Sequence, residues 1–224
     1  MATINIGRQG MGTGPADSTF STARTGAGAS ITDGVTGNQG SAVQYYFSTG
    51  RGGAHRFKRV FLYFDTSGIT STLSAAHIDM PGYTVSGDPN DTIMLKSTAF
   101  GGDGGTALAT SDFYSSIDYS TPYSTELTSY GSGNNEYTLT AAALADIKNN
   151  DHFTLAIVQH DNDYASSASG SSVADDISIA FGTTITLDYT AVSGYANNIK
   201  GIASASISKV NGVATASIEK INGI

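Results

Sequence analysis

The 224-residue chain contains no cysteine and no tryptophan. Without cysteine there are no disulfides and no thiolate metal sites, so packing and sheet hydrogen bonds must hold the fold. Without tryptophan, a sugar-binding surface loses its best stacking platform. Bases are scarce too: 11 Lys and Arg stand against 19 Asp and Glu, a net charge of −8, with only 13% of residues charged. Phosphate binding needs clustered cations, so nucleic acid is not an expected partner. No apolar run approaches transmembrane length, which argues against membrane insertion. The opening Met1-Ala2-Thr3-Ile4-Asn5-Ile6-Gly7-Arg8 has neither the basic nor the apolar region of a secretory signal, so the expectation is synthesis and retention in a cytosol.

What is abundant is glycine, at 27 residues, together with Ser, Thr and Ala. That mixture predicts short strands joined by many turns, and one all-β domain commonly fills this length. Arg59-Val60-Phe61-Leu62-Tyr63-Phe64-Asp65 is the strongest strand former and is expected at the centre of a sheet. Val43 to Phe47, Ala75 to Met80, Thr92 to Ser97, Asn135 to Thr140, Phe153 to Val158 and Thr184 to Tyr189 follow as strands. The second of these is expected to stop at Pro81-Gly82. Alanine density after Thr140 predicts one short helix over Ala141 to Lys148, capped by that threonine. The reading is an antiparallel, jelly-roll-like β-sandwich over residues 1–191, with residues 192–224 as a separate tail.

The tail is an internal repeat. Ile199 to Lys209 aligns without a gap on Val210 to Lys220, and a third copy begins at Ile221-Asn222-Gly223-Ile224, a period of eleven. In each copy Ser206 or Ser217 can cap a helical turn that Gly212 or Gly223 ends. The period also suits an amphipathic helix, although a glycine in every copy opposes a long one. Either way the apolar positions Ile199, Ile202, Ile207, Val210, Val213, Ile218, Ile221 and Ile224 have no core of their own. They are expected to lie against the domain, a second copy or another protein.

Two resemblances follow from these segments. The Arg-led strand Arg59 to Asp65, Ile69 and Ser74-Ala75-Ala76-His77-Ile78 resemble the pattern of DNRLRE-type β-sandwich domains, relatives of a carbohydrate-binding module family. The likeness spans roughly residues 1–190 and extends to a helix, the strand Phe153 to Val158, a Ser/Gly-rich loop and a closing strand ending in Asp188-Tyr189. It implies a sandwich that binds rather than cuts. The phrase Val210-Asn211-Gly212-Val213-Ala214 with Ala216-Ser217-Ile218 and Lys220 is similar to short repeats that end structural proteins of marine tailed bacteriophages. That implies a virion component, a capsid decoration, collar or tail-fibre protein, self-associating as a homo-oligomer such as a trimer and contacting other virion proteins.

Candidate chemistry is sparse. His55, His77, His152 and His160 lack the spacing of a metal motif and read as structural. His160-Asp161-Asn162-Asp163-Tyr164 with Asp175-Asp176 across a loop gathers hard oxygens, so Asp161, Asp163 and Asp175 are candidate calcium ligands, or else a solvated acidic loop. No other cofactor is expected. No nucleophile motif appears, and Gly101-Gly102-Asp103-Gly104-Gly105 lacks the Lys-Ser/Thr of a phosphate loop, so an enzyme is not expected. Tyr114, Tyr119, Tyr123 and Tyr130 punctuate a polar segment and read as glycan contacts or as strand-packing residues. The functional expectation is a phage structural protein assembled through its tail; the alternative is a carbohydrate-binding module or host-recognition fibre tip.

Overall fold

A computed structural model describes residues 1–50, 53–86, 90–182 and 184–192, and the backbone pairing of 209–210 with 213–214. The described body has twelve strands: β1 (Ala2–Asn5), β2 (Arg8–Thr13), β3 (Ser30–Asp33), β4 (Gly37–Phe47), β5 (His55–Asp65), β6 (Leu73–Ser86), β7 (Thr92–Ser97), β8 (Ile117–Pro122), β9 (Asn134–Thr138), β10 (His152–Gln159), β11 (Val173–Phe181) and β12 (Thr186–Ala191). Their pairings are antiparallel, and strand makes up 51% of the chain, so the fold is an all-β, sandwich-like one. No helix among the described residues is long and apolar enough to cross a membrane.

One layer runs β1-β12-β6-β9, the other β6-β11-β4-β5-β10-β7-β8, with β2 on β5 and β3 outside it. Strand β6 belongs to both. Its first part pairs with β12 and β9, and from Gly82 to Ser86 it pairs with β11. The expected stop at Pro81-Gly82 is therefore a bend inside a longer strand. Pro81 still lies opposite Asn134, and a Cβ on Gly82 would meet the Gly131 carbonyl oxygen at 1.9 Å. The pair re-aims the chain from one sheet to the other instead of ending it.

The main core fills the space between the layers. Leu62 and Phe64 of β5, Phe153 and Leu155 of β10, Ile78 and Met80 of β6 and Leu187 of β12 meet there. Strand β5 is also covered on its opposite face, where Phe61 packs with Leu95, Phe100, Ala156 and Val158. Burial on both faces explains its unbroken run of apolar residues, the pattern of a central strand.

Helix α2 (Ala141–Asn149) follows Thr140, whose hydroxyl accepts the Ala143 N–H at 3.4 Å, as expected. The expectation of a single helix needs correction, because α1 (Phe20–Thr25) forms in the Ser/Thr-rich N-terminal stretch. Its register buries Ala23 against Tyr45, Phe57 and Phe113, and Gly26 ends it at φ +65°. Tertiary burial overrides weak local propensity there. Strand β11 was likewise expected as loop; its Ile177, Ile179 and Phe181 are buried in the main core.

In the tail, Lys209 lies opposite Ala214 and Val210 opposite Val213 in an antiparallel pair. Lys209 and Val210 are thus strand where a helical turn was expected, while Ser206, Gly212, Ser217 and Gly223 lie outside the described residues. Two residues, Asn211 and Gly212, separate the strands, and Asn-Gly is the dipeptide that two-residue hairpins favour. The assembly candidates Ile199, Ile202, Ile207, Ile218, Ile221 and Ile224 lie outside the described residues; Val210 and Val213 are the pair next to the turn.

Candidate functional site

One cluster of potential metal ligands is built where β10 ends. The Gln159 side-chain oxygen accepts the N–H groups of Asn162 and Asp163 at 2.6 and 3.3 Å, folding His160–Tyr164 into one tight turn. The same side chain donates to Asp91 at 2.5 Å. Asp91 precedes β7, and the Asp161 N–H closes on its other oxygen at 2.8 Å. Thr92 and Leu127 exchange backbone hydrogen bonds at 3.0 and 2.8 Å, which carries Glu126 to the same place. Asp91, Glu126, Asp161 and His160 thus bring their ligand atoms within 4.8 Å of one another.

Burial, and after it the charge of Asp161, pushes the Asp91 carboxyl up to about 6. His160 Nδ1 stands 3.0 Å from Asp161, 3.6 Å from Asp91 and 3.6 Å from Glu126. The set offers three carboxylates and one imidazole nitrogen. Calcium takes oxygen ligands only, so the imidazole suits instead an ion that also accepts nitrogen, such as manganese or zinc.

Of the three acids read as calcium ligands, only Asp161 joins this cluster. The loop over 165–172 does not bring them together, because Asp175 stands beyond it within β11, opposite Tyr45, and accepts from Gln159 at 3.3 Å. Asp163 turns the other way. Its carboxylate receives Arg59 Nε at 2.6 Å and Nη2 at 2.9 Å, and also Arg24 Nε at 3.2 Å and the Tyr119 hydroxyl at 3.1 Å. Arg59 is fully buried, and its guanidinium sits 4.2 Å from the Phe113 ring centre. The charge of this buried carboxylate is already matched by Arg59 and Arg24, which leaves it committed to the protein's own cations.

The tyrosines read as glycan contacts form no exposed platform. Tyr123 and Tyr130 are only 2% exposed and belong to the core, where Tyr123 stacks on Phe153 at 4.8 Å and donates to Asp146 at 2.5 Å. Tyr114 and Tyr119 are partly buried and face the Arg24 guanidinium, which lies 4.2 Å from the Tyr119 ring centre. Burial raises the hydroxyl pKa of Tyr119, Tyr123 and Tyr130 well above the usual value. These side chains pack the sandwich, which is the other reading their spacing allowed.

No protein-family model matches this sequence, and no curated protein is similar to it.

Two further features were not apparent in the sequence. On the outer side of the β1-β12-β6-β9 layer, His77 Nε2 lies 3.8 to 3.9 Å from carboxylate oxygens of Asp188, Asp79 and Glu136. Register creates that group, since His77 pairs with Asp188 on one side and Asp79 with Glu136 on the other. At one corner a groove of about 390 Å³ is lined by Met1, Ile69, Thr70, Tyr189 and Ala191 among others. Val192, which follows β12, lies at this corner, its N–H donating to the Thr72 carbonyl at 2.8 Å.

Proposed function

We propose that the protein is a structural component of a tailed-bacteriophage particle, a capsid decoration, collar or tail-fibre protein. It displays the sandwich and is fastened through residues 192–224. The observation that carries this reading is the eleven-residue repeat, whose apolar positions recur without a core to receive them, together with the antiparallel pairing around Asn211-Gly212. Charge supports it. Residues 1–192 hold 8 bases and 18 acids, a balance of −10, whereas residues 193–224 hold 3 bases and 1 acid, a balance of +2. A strongly acidic body favours solubility and spacing between copies, and the tail carries the opposite sign. Carbohydrate binding, the alternative, loses the tyrosines that motivated it.

The test is incorporation. Particles produced with a chain lacking residues 199–224 are purified and their protein content measured. The truncated protein is expected in the soluble fraction and missing from particles. Incorporation at the full-length level refutes the proposal.

A further inference from the structure

We propose that the side of the sheet carrying Tyr46, Arg56, Lys58, Gln44 and Asp176 binds an acidic saccharide, a sugar unit with a carboxylate and neighbouring hydroxyls such as a hexuronic acid. The inference concerns the sandwich alone and is independent of the attachment role given to residues 192–224.

Ladder register brings these residues together. Tyr46 of β4 lies opposite Arg56 of β5 and Ala174 of β11, and Gln44 lies opposite Lys58 and Asp176. Residues directly opposite share a side and successive residues alternate. Tyr45 and Phe57 therefore fall on the other side, where they are buried together. Two rows result, Ala174-Tyr46-Arg56 and Asp176-Gln44-Lys58, set about 7 Å apart by two residues of strand rise.

The rows are polarised. Arg8 is ion-paired with Asp33, Arg24 and Arg59 with Asp163, and Lys96 with Asp146. Among the described residues of the sandwich, the lysines and arginines outside such pairs are Arg56, Lys58 and Lys148. Two of the three thus stand side by side on β5. Burial pushes the Lys58 ammonium below its usual range, against the pull of Asp176, so an anion in contact with it relieves a real cost. The other end of the rows offers acceptors. Gln44 is 9% exposed, and among the described residues its Oε1 has no hydrogen-bond partner. Asp176 Oδ1 has none either, while its other oxygen accepts the Ser41 hydroxyl at 2.5 Å. Buried acceptors without donors are costly, and sugar hydroxyls supply donors. Both atoms lie beneath the surface, so the hydroxyls reach them as the flexible Lys58 stem, opposite Gln44, turns outward to the carboxylate. Between the two ends stands Tyr46, 39% exposed, with only the Ala174 methyl beside it on β11. Its ring is a platform for the C–H face of a sugar.

That division selects the ligand class. A run of acidic side chains matches the cations but brings no hydroxyls to Gln44 and Asp176. A neutral sugar brings hydroxyls but leaves Arg56 and Lys58 unmatched. A uronic acid does both, with its carboxylate over β5, its ring on Tyr46 and its hydroxyls toward β11.

The experiment is calorimetric titration of the full chain with tetragalacturonate, tetramannuronate and a hyaluronan tetrasaccharide. Maltotetraose serves as the neutral sugar and tetraglutamate as the charge alone. At least one acidic saccharide is expected to bind, and neither control. Tyr46→Ala, and Arg56→Gln combined with Lys58→Gln, should each weaken that binding by about tenfold or more, with the thermal unfolding transition unchanged. Tyr46→Phe keeps the ring and should retain it. Tyr83→Ala, at a tyrosine of β6 that is 51% exposed, should leave affinity within about twofold. The inference is overturned if no acidic saccharide binds, if maltotetraose or tetraglutamate binds equally well, if Tyr46→Ala or the double variant binds as the parent does, or if Tyr83→Ala loses as much as Tyr46→Ala.

Discussion

Replacing Asp163 by asparagine should be among the most damaging conservative changes in the sandwich. Arg59 and Asp163 are 0% and 1% exposed, and the pair is bidentate. The rest of the guanidinium is held by backbone, with Nη1 donating to the Phe113 carbonyl at 2.5 Å and Nη2 to the Arg24 carbonyl at 2.8 Å. The asparagine side chain would keep the shape, remove the counter-charge and turn an amide N–H₂ toward donors. Breaking one side of a buried pair costs about 3–5 kcal/mol. A domain of this kind holds about 5–15 kcal/mol in all. At roughly 2–4 °C per kcal/mol for its size, Tm should fall by about 6–20 °C. Urea unfolding should show a lower midpoint with an unchanged m value. The double change Arg59→Met with Asp163→Leu removes both charges, so it should cost less than the sum of the two single changes, although the Phe113 and Arg24 carbonyls lose their donors. A loss below about 1 kcal/mol for Asp163→Asn, or an additive double variant, would refute the reading of Arg59 and Asp163 as a buried, mutually dependent ion pair.

Four further outcomes are expected. The raised Asp91 pKa means that the folded state holds a proton the unfolded chain has released between the ordinary carboxylate range and about pH 6. Stability from this group is therefore lost as pH rises through that window, and Asp161→Asn should flatten the thermal-shift profile between about pH 4 and 7, whereas identical profiles would contradict it. At about pH 7.5, manganese should raise Tm by a margin that grows with its concentration and vanishes in Glu126→Gln, and calcium should do less; calcium equal to manganese would mean His160 is no ligand. Tyr123→Ala should cost about 3–5 kcal/mol in urea unfolding as a core truncation, and a neutral result would restore it as a surface residue. Gly82→Ala drives a methyl group into the Gly131 carbonyl oxygen and should cost about 1–3 kcal/mol, a value that a Gly131 deletion variant should reduce.

The strands legible in the sequence were those whose composition and burial agree. Val60 to Phe64 is apolar because both its faces are covered, and Thr92–Ser97 was bounded as observed. Strand β11 was missed because Asp175 and Asp176 interrupt its alternation, and their placement depends on partners far away, Gln159 for one and Ser41 for the other. Pro81-Gly82 carries the ordinary signal of a strand end. Whether such a pair ends a strand or bends it into a second sheet is decided by what waits beyond, here β11, and no local pattern reports that. Helix α1 had only weak signals, a Gly at its end and an Ala on its buried side.

The metal-ligand cluster lay beyond sequence reasoning for a different reason. Asp91, Glu126 and the His160-Asp161 pair come from three separate segments, joined by the Thr92–Leu127 bridge and the Gln159 side chain. Proximity in sequence instead favoured Asp163, two residues from Asp161, yet the tight turn points these two carboxylates in different directions. The tail shows the reverse case, in which the signal was local and admitted two periods. Eleven residues make three turns of helix, and they also make a nine-residue strand with a two-residue turn. Three glycines eleven apart weaken the first and supply the second, and the small-polar alternation from 203 to 208 repeats from 214 to 219. Where the tail is described, Lys209 and Val210 pair antiparallel with Ala214 and Val213, which the second period allows.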